Sequence, residues 1–144
     1  MIYNSQNFIT NFVKCIEDLK SDNLEELESY YSLNCSFIDP FHKIFGSSKI
    51  IKVYKNMFKN LDNPKFEIVH SIEKKNIVIF KWLFKFSLNS KTSEIIIPGV
   101  TWIELNNKNL IQKQEDYWDS CELFDKFVFF KHPLLWLKRR IAKI

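Results

Sequence analysis

The sequence is poor in the residues that build metal sites, disulfide frameworks and nucleic-acid surfaces. Its three cysteines and three histidines are widely spaced and include no CxxC pair, so we predict no metal site, no disulfide and no cofactor. Free thiols are typical of a reducing compartment, which predicts a cytoplasmic protein. The only arginines are Arg139 and Arg140, and lysine and glutamate are interspersed elsewhere, so no nucleic-acid partner is predicted.

Long apolar runs and glycines are also scarce. No stretch reaches the length of a membrane span, and the amino-terminal residues lack the pattern of a signal peptide. Of the two glycines, Gly46 and Gly99, each is expected at a special backbone position. Aromatic residues, in contrast, make up 16% of the 144 residues, which is enough for a packed core or for the wall of a cavity. We predict a single domain over residues 1–144.

Hydrophobic periodicity predicts helices first and strands later. The predicted helices are 5–19, 24–33, 47–61 and 121–143, the last interrupted at Pro133; the predicted strands are 35–38, 66–73, 77–88, 94–105 and 110–119. This order is typical of an α+β domain, in which a curved antiparallel sheet wraps on three amino-terminal helices and a helical tail follows.

Strand 110–119 is unusual because neither of its two faces is plainly apolar. If Trp118 points inward, then Gln112, Gln114 and Asp116 enter the interior, where unpaired polar groups are costly. Polar groups within an aromatic shell indicate a ligand pocket. The alternative is an edge strand that is solvated on both faces.

A second polar position within apolar surroundings is Asp39, at the end of the apolar strand that precedes Pro40. Aromatic residues and a histidine lie close by, among them Phe41 and His42. A carboxylate in such a place is either a turn-former or a base whose properties are tuned by its surroundings. Both interpretations remain open at this stage.

Several local motifs occur together in this order of elements. They are Asp39-Pro40-Phe41, Gly46, Gly99, Asp116-Tyr117-Trp118-Asp119, and Pro133-Leu134-Leu135 with Arg139-Arg140. The combination resembles the nuclear transport factor 2-like superfamily, which includes ketosteroid isomerases and SnoaL-like polyketide cyclases. The resemblance implies a cone-shaped sheet with a cavity at one end. It also implies a homodimer that forms through the outer sheet face, where Val100 and Trp102 would lie.

The resemblance also implies chemistry. Asp39 occupies the position of the general base in the steroid isomerases, where an acid removes a proton next to a carbonyl. The places of their two oxyanion donors fall on Cys15 and Thr101, which are weaker donors, so steroid isomerisation by that mechanism is not expected. Epoxide hydrolysis of the limonene type is excluded, because both arginines lie in the tail. An Asp–His relay, as in related dehydratases, stays open with His42 or His70.

We therefore predict a protein that binds a hydrophobic carbonyl compound and acts as an isomerase, cyclase or dehydratase. Asp39 is the predicted base, and Asp116, Gln114 and His42 are predicted to orient the substrate or donate protons. Further predicted substrate contacts are Trp118, Trp82, His70, Phe41, Tyr54 and Thr101. The alternative function is a non-catalytic ligand-binding or dimerisation module.

Some of these residues have simpler interpretations. Asp116 is also explained as the ion-pair partner of a lysine, His42 as a surface residue of a loop, and His70 as a core histidine with satisfied hydrogen bonds. The basic, amphipathic tail, residues 131–144, fits contact with an anionic membrane. The interpretation we favour from sequence is that its apolar residues pack on the domain or on a partner subunit.

Overall fold

The structure is a computed structural model that describes residues 5–126 and 128–142. In chain order its elements are α1 (Ser5–Glu17), α2 (Leu24–Glu28), β1 (Tyr31–Ile38), β2 (Lys43–Phe45), α3 (Ser47–Asn60), β3 (Asp62–Lys74), β4 (Ile77–Ser87), β5 (Ile95–Leu105), β6 (Ile111–Trp118), α4 (Ser120–Phe124) and α5 (Val128–Ile141).

One curved, open sheet organises the described residues, with the strand order β2-β1-β6-β5-β4-β3. Strands β3 to β6 form an antiparallel meander, as predicted, and the α+β class is confirmed. The sheet is mixed rather than antiparallel throughout as predicted, because β1 runs parallel to β6 with Phe37 opposite Gln114. Strand β6 is therefore central, and its interpretation as a solvated edge is wrong.

The core lies between the concave face of the sheet and the helices α1 and α3. Alternate residues of β4, such as Val78 and Phe80, are fully or almost fully buried, and the ring of Phe80 lies 5.5 Å from that of Phe12 on α1. Ile50, at the start of α3, is completely buried. This packing fixes α1 and α3 against the sheet and thereby shapes the space between them.

Gly46 begins α3 in a backbone conformation that favours glycine. Its φ of 96° lies in the region that L side chains rarely adopt. Its amide donates a 2.8 Å hydrogen bond to the carbonyl of Cys35, which ties the start of α3 to β1. The loop that carries Asp39 is therefore held at both ends.

Two of the differences from the predicted elements concern helices. The second helix ends at Glu28 rather than at residue 33, because Tyr31 already belongs to β1 and lies opposite Ile111 of β6. The tail is not interrupted at Pro133, which lies inside α5. The chain instead leaves the helical conformation after Phe124, at the end of α4.

The predicted inward position of His70 is also wrong. The pairing of β3 with β4 shifts between Ile68 and His70, so that Ile68 is opposite Trp82 while His70 is opposite Lys81. A bulge of one residue at Val69 transfers every later side chain to the other face. His70 is consequently exposed on the outer face of the sheet.

Candidate active site

A cleft opens between the concave face of the sheet, α3 and the loop that follows β1. Its volume is about 350 Å³, which is within the range of small-molecule sites. Two carboxylates line it, Asp39 from the loop and Asp116 from β6. The apolar part of its wall includes Phe37, Phe66, Trp82, Phe84, Phe86, Ile97, Trp118 and Leu123.

Asp116 is held by hydrogen bonds from two residues behind the cleft wall. Thr101 Oγ1 donates to Asp116 Oδ1 at 2.7 Å, and Gln114 Nε2 donates to Oδ1 at 3.0 Å and to Oδ2 at 3.2 Å. Trp82 Nε1 in turn donates to Thr101 Oγ1 at 2.8 Å. The indole thus leaves the hydroxyl proton of Thr101 directed at the carboxylate, so the position of Asp116 is set from behind.

A pair of buried phenols completes this network. The hydroxyl of Tyr31 donates to Gln114 Oε1 at 2.6 Å, which orients the amide so that its nitrogen faces Asp116. Tyr54 lines the cleft, and Tyr31 and Gln114 are close enough to it to influence its pKa. Burial raises the pKa of both phenols well above the ordinary value, so both keep their protons at neutral pH.

The environment makes Asp116 a stronger base than an ordinary carboxylate. The pKa of Asp116 is raised from 3.8 to about 6, chiefly by burial and to a smaller extent by the negative charge of Asp39. The hydrogen bonds from Thr101 and Gln114 act in the opposite direction because they stabilise the charged form. Desolvation is the largest of these effects, which leaves a carboxylate that changes charge close to neutral pH.

Asp39 is both a turn-former and the partner of a histidine. Its Oδ1 accepts hydrogen bonds from the backbone amides of Phe41 at 2.7 Å and His42 at 2.6 Å. The ring of His42 lies against the same carboxylate, with Nδ1 3.0 Å from each oxygen. The Asp39 side chain is 11% exposed and that of His42 is 40% exposed, so the pair lies where the cleft meets solvent.

Two aromatic contacts define the wall and the mouth of the cleft. Gly99 leaves room for the indole of Trp82, since a Cβ at position 99 would lie 2.1 Å from Trp82 Cη2. At the mouth, the ring of Phe41 lies edge-on to Trp118 at 5.1 Å and to Phe124 of α4 at 6.0 Å. Phe41 is half exposed, so the mouth presents an aromatic surface to solvent.

Comparison with known proteins identifies the family. The family described as "SnoaL-like domain" matches residues 12–113, which is more than half of the chain. The chain belongs to the SnoaL-like domain family. No curated protein matches the chain.

Solved structures show the same fold at low sequence identity. A protein described as a SnoaL-like polyketide cyclase from Shewanella putrefaciens is 17% identical, with a TM-score of 0.71 over 90% of this chain and 99% of that one. A nuclear transport factor 2-like protein of unknown function from Burkholderia pseudomallei is 10% identical, with a TM-score of 0.74 over 88% and 99%. A structure with a ketosteroid isomerase-like fold from Catenulispora acidiphila, bound to trimethylamine, is 12% identical, with a TM-score of 0.67 over 77% and 84%.

Most residues predicted from sequence come together in this SnoaL-like domain. The cleft is lined by Asp39, His42, Asp116, Phe41, Tyr54, Trp82 and Trp118. Thr101 and Gln114 are buried directly behind it and act through Asp116. His70 is not brought to the cleft, because it lies on the outer face of the sheet.

Sequence reasoning missed two contributions. Tyr31 was assigned to a helix, and nothing in the local sequence pairs it with Gln114, 83 residues away. Asn56 and Asn60 of α3 line the cleft together with Val53 and Met57. Their spacing of three or four residues along one helix face was the available signal.

Neither a metal-binding cluster nor a membrane-spanning helix occurs within the described ranges. No group of three or more histidine, cysteine or acidic side chains is placed to hold a metal ion in residues 5–126 and 128–142. The helices of the same ranges are too short or too polar to cross a membrane.

Proposed function

We propose that the cleft binds an apolar carbonyl compound and catalyses proton transfer on it, with Asp116 as the general base. The observation that carries this proposal is the Asp116 carboxylate, which faces an aromatic cleft and has its pKa raised to about 6. A base is most effective when its pKa lies near the working pH, because it is then ionised and still binds a proton well.

The hydrogen bonds of Asp39 favour a different role from the one predicted for it. Its Oδ1 already accepts from two backbone amides and the ring of His42, so this oxygen has little capacity left for a substrate proton. We assign Asp39 to orienting His42. In this role the Asp39 carboxylate accepts a hydrogen bond from Nδ1–H of His42, which leaves Nε2 available to exchange a proton with the substrate.

We assign the role of oxyanion donor to Tyr54 of α3. In the steroid isomerases this donor lies in the first helix, at the position that Cys15 occupies here. Cys15 is buried in α1, and burial raises the pKa of its thiol to about 11. Tyr54, in contrast, lines the cleft and keeps its proton. A neutral phenol in a site of low polarity stabilises negative charge that develops on a carbonyl oxygen.

The proposed step follows from these three groups. Asp116 removes a proton from the carbon next to the carbonyl, and the electron pair moves to the oxygen, where Tyr54 or His42 stabilises it. Return of the proton to another carbon completes an isomerisation. In a cyclisation, the enolate carbon instead attacks a second carbonyl carbon of the same molecule, the π electrons of that carbonyl move to its oxygen, and this alkoxide takes the proton from Asp116.

The test is exchange of carbon-bound hydrogen for deuterium in a panel of apolar ketones, followed by mass spectrometry. We expect Asp116→Asn to slow exchange by about 10²- to 10⁴-fold, the usual contribution of a general base. Glu115→Gln is the matched control, because it removes a carboxylate from the opposite face of the same strand. Exchange by the wild type should also rise with pH through about 6.

The outcomes separate the two carboxylates and the two functions. Loss of exchange in Asp39→Asn, with Asp116→Asn still active, would return the role of base to Asp39. Ketones that stabilise the protein against unfolding without any exchange would instead favour the alternative, a non-catalytic ligand-binding module.

A further inference from the structure

The last 19 residues carry the positive charge of this chain. Residues 126–144 contain six of the 21 lysines and arginines and none of the 17 acidic residues, so they carry a charge of +6. The preceding 125 residues, with the other 15 basic residues and all the acidic ones, carry −2. Such a division of charge indicates a segment with an anionic partner rather than a uniformly solvated surface.

Three apolar residues of the tail do not pack on the domain, and the other half of the favoured interpretation, packing on a partner subunit, stays a prediction. Trp136 is 61% exposed, Leu137 is 46% exposed and Ile141 is 76% exposed. Exposed tryptophan and aliphatic residues on one helix are unusual unless a partner covers them. The side chain of Leu134 lies outside what the structure describes, and Leu135 is partly buried.

The exposed apolar residues share one side of α5, and basic residues lie on both flanks. At about 100° per residue, Trp136, Leu137 and Ile141 fall within an arc of about 140°. Lys138 and Arg139 lie about 60° beyond opposite ends of that arc. The helix thus has an exposed strip of three apolar residues, with basic residues on both borders and Arg140 within it.

Arg140 and Lys138 fit the same arrangement. Arg140 lies within the arc, about 40° from Trp136, and its guanidinium is 5.3 Å from the centre of the Trp136 ring, so the charge packs on the aromatic face inside the strip. Lys138 Nζ lies 3.0 Å from Asp125 Oδ2, an ion pair that joins α5 to the end of α4. The helix is therefore attached to the domain while its apolar strip faces outward.

We propose that α5 binds the surface of an anionic lipid bilayer, with its apolar strip in the boundary between headgroups and acyl chains. Tryptophan and aliphatic side chains enter that boundary, and the flanking cations meet lipid phosphates. The 14 residues of α5 extend about 21 Å, less than the bilayer core, so the helix lies on the membrane and does not span it. A second copy of the chain is a poorer partner, since its body offers interspersed lysine and glutamate.

Binding of α5 to a bilayer would also bring the membrane near the cleft. The role of the membrane as a source of ligand rests on the proposed function. Helix α4 borders the cleft through Leu123 and is adjacent to α5. A bilayer bound by α5 therefore lies close to the mouth of the cleft. Apolar compounds concentrate in bilayers, so the membrane becomes a source of ligand.

The test is co-sedimentation of the full chain with vesicles of phosphatidylcholine, alone or with about one third phosphatidylglycerol. We expect binding to the anionic vesicles only, with loss of binding in high salt, where charges are screened. The double variant Arg139→Gln, Arg140→Gln should lower the partition coefficient roughly 30-fold, because each basic residue contributes about 1 kcal/mol at such a surface. Lys52→Gln, Lys55→Gln on the exposed face of α3 is the matched control.

The apolar strip has its own test. Leu137→Ser and Ile141→Ser should each weaken partition by roughly tenfold, because each removes apolar area from the boundary. Leu33→Ser is the control, since Leu33 is 83% exposed on β1, away from the tail. Vesicles should shift the tryptophan emission of the wild type to the blue, and Trp136→Phe should abolish most of that shift.

Three results would overturn the proposal. One is equal sedimentation with neutral and anionic vesicles, or none with either. Another is unchanged binding in the Arg139→Gln, Arg140→Gln variant. The third is self-association that these tail variants abolish while no vesicle binding occurs, which would make a second copy the partner. All of these substitutions are at exposed positions, so the variants should fold, and none of the readouts depends on the chemistry of the cleft.

Discussion

Asp116→Asn should make the protein more stable at neutral pH, although it removes the proposed base. Asp116 is partly buried in the wall of the cleft, and the pKa of its carboxylate is about 6 rather than the ordinary 3.8. Between these two pH values the folded state holds the proton more tightly than the unfolded state does. Stability therefore falls as the pH rises through this window, and above it the cost of the ionised group is fully present.

The size of the effect follows from the shift. A change of about two pH units corresponds to about 3 kcal/mol, since each unit is worth 1.36 kcal/mol. Asparagine carries no charge, so this cost disappears in the variant. The amide nitrogen that replaces Oδ2 cannot accept the hydrogen bond from Gln114 Nε2, and that loss costs about 1 kcal/mol at every pH. The difference between variant and wild type should therefore rise by about 3 kcal/mol from below pH 3.8 to above pH 6.

Urea denaturation of both proteins over this pH range measures that difference. Carboxylates far from Asp116 titrate equally in the two proteins and cancel, so the change with pH belongs to Asp116 and to its electrostatic coupling with Asp39. Asp22→Asn, at an exposed turn, shows what neutralising a solvated carboxylate does. A difference that stays flat with pH, or that falls as the pH rises, would refute the argument that burial controls this carboxylate.

Two further predictions concern packing on the two faces of the sheet. Gly99→Ala would place a Cβ 2.1 Å from the Trp82 ring, so the indole must move and its hydrogen bond to Thr101 should break. We expect the free energy of unfolding in urea to fall by about 1–3 kcal/mol and the indole N–H resonance of Trp82 to shift. An unchanged resonance would contradict this. On the outer face, Val100 and Trp102 are partly exposed. If they form the predicted homodimer interface, Trp102→Glu should convert a dimer to a monomer in sedimentation equilibrium. A wild-type protein that is already monomeric would exclude that interface.

Local sequence patterns were sufficient to predict an element when its burial pattern stays the same along its whole length. The period of two in β4 places Val78, Phe80 and Trp82 on the buried face, as the structure has them. The glycine at position 46 marks the start of α3. In both cases the signal lies within a few residues, and a single physical cause, burial or backbone conformation, produces it.

Local sequence patterns could not predict which residues pair across long distances in the sequence. The sequence around Tyr31 continues the apolar spacing of α2, and only its pairing with Ile111 makes it a strand. The same separation hides the hydrogen bond from Tyr31 to Gln114. A residue whose partner is some 80 positions away carries no local sign of that partner, so the contribution of Tyr31 behind the cleft was not predictable, although Thr101 and Gln114 were predicted.

The unusual composition of the last strand has a physical explanation in a second bulge. The pairing of β5 with β6 shifts between Ile111 and Lys113, so the two sides of the strand exchange faces at Gln112. Ile111 and Gln114 both point inward as a result, while Gln112 is exposed and bonds to β1. Neither set of alternate residues could therefore be apolar throughout.

This bulge also explains how a central strand presents a carboxylate to the cleft. Without the shift, the inward positions before the bulge, marked by Ile111, would continue through Lys113 and Glu115, and Asp116 would point to the outer face. Such bulges are common beside active sites because they redirect one side chain without disrupting the sheet. The exchange of faces at Gln112 thus brings Asp116 under Thr101 and into the aromatic wall, where burial can raise its pKa. The feature that obscured the strand in the sequence is the one that positions its proposed base.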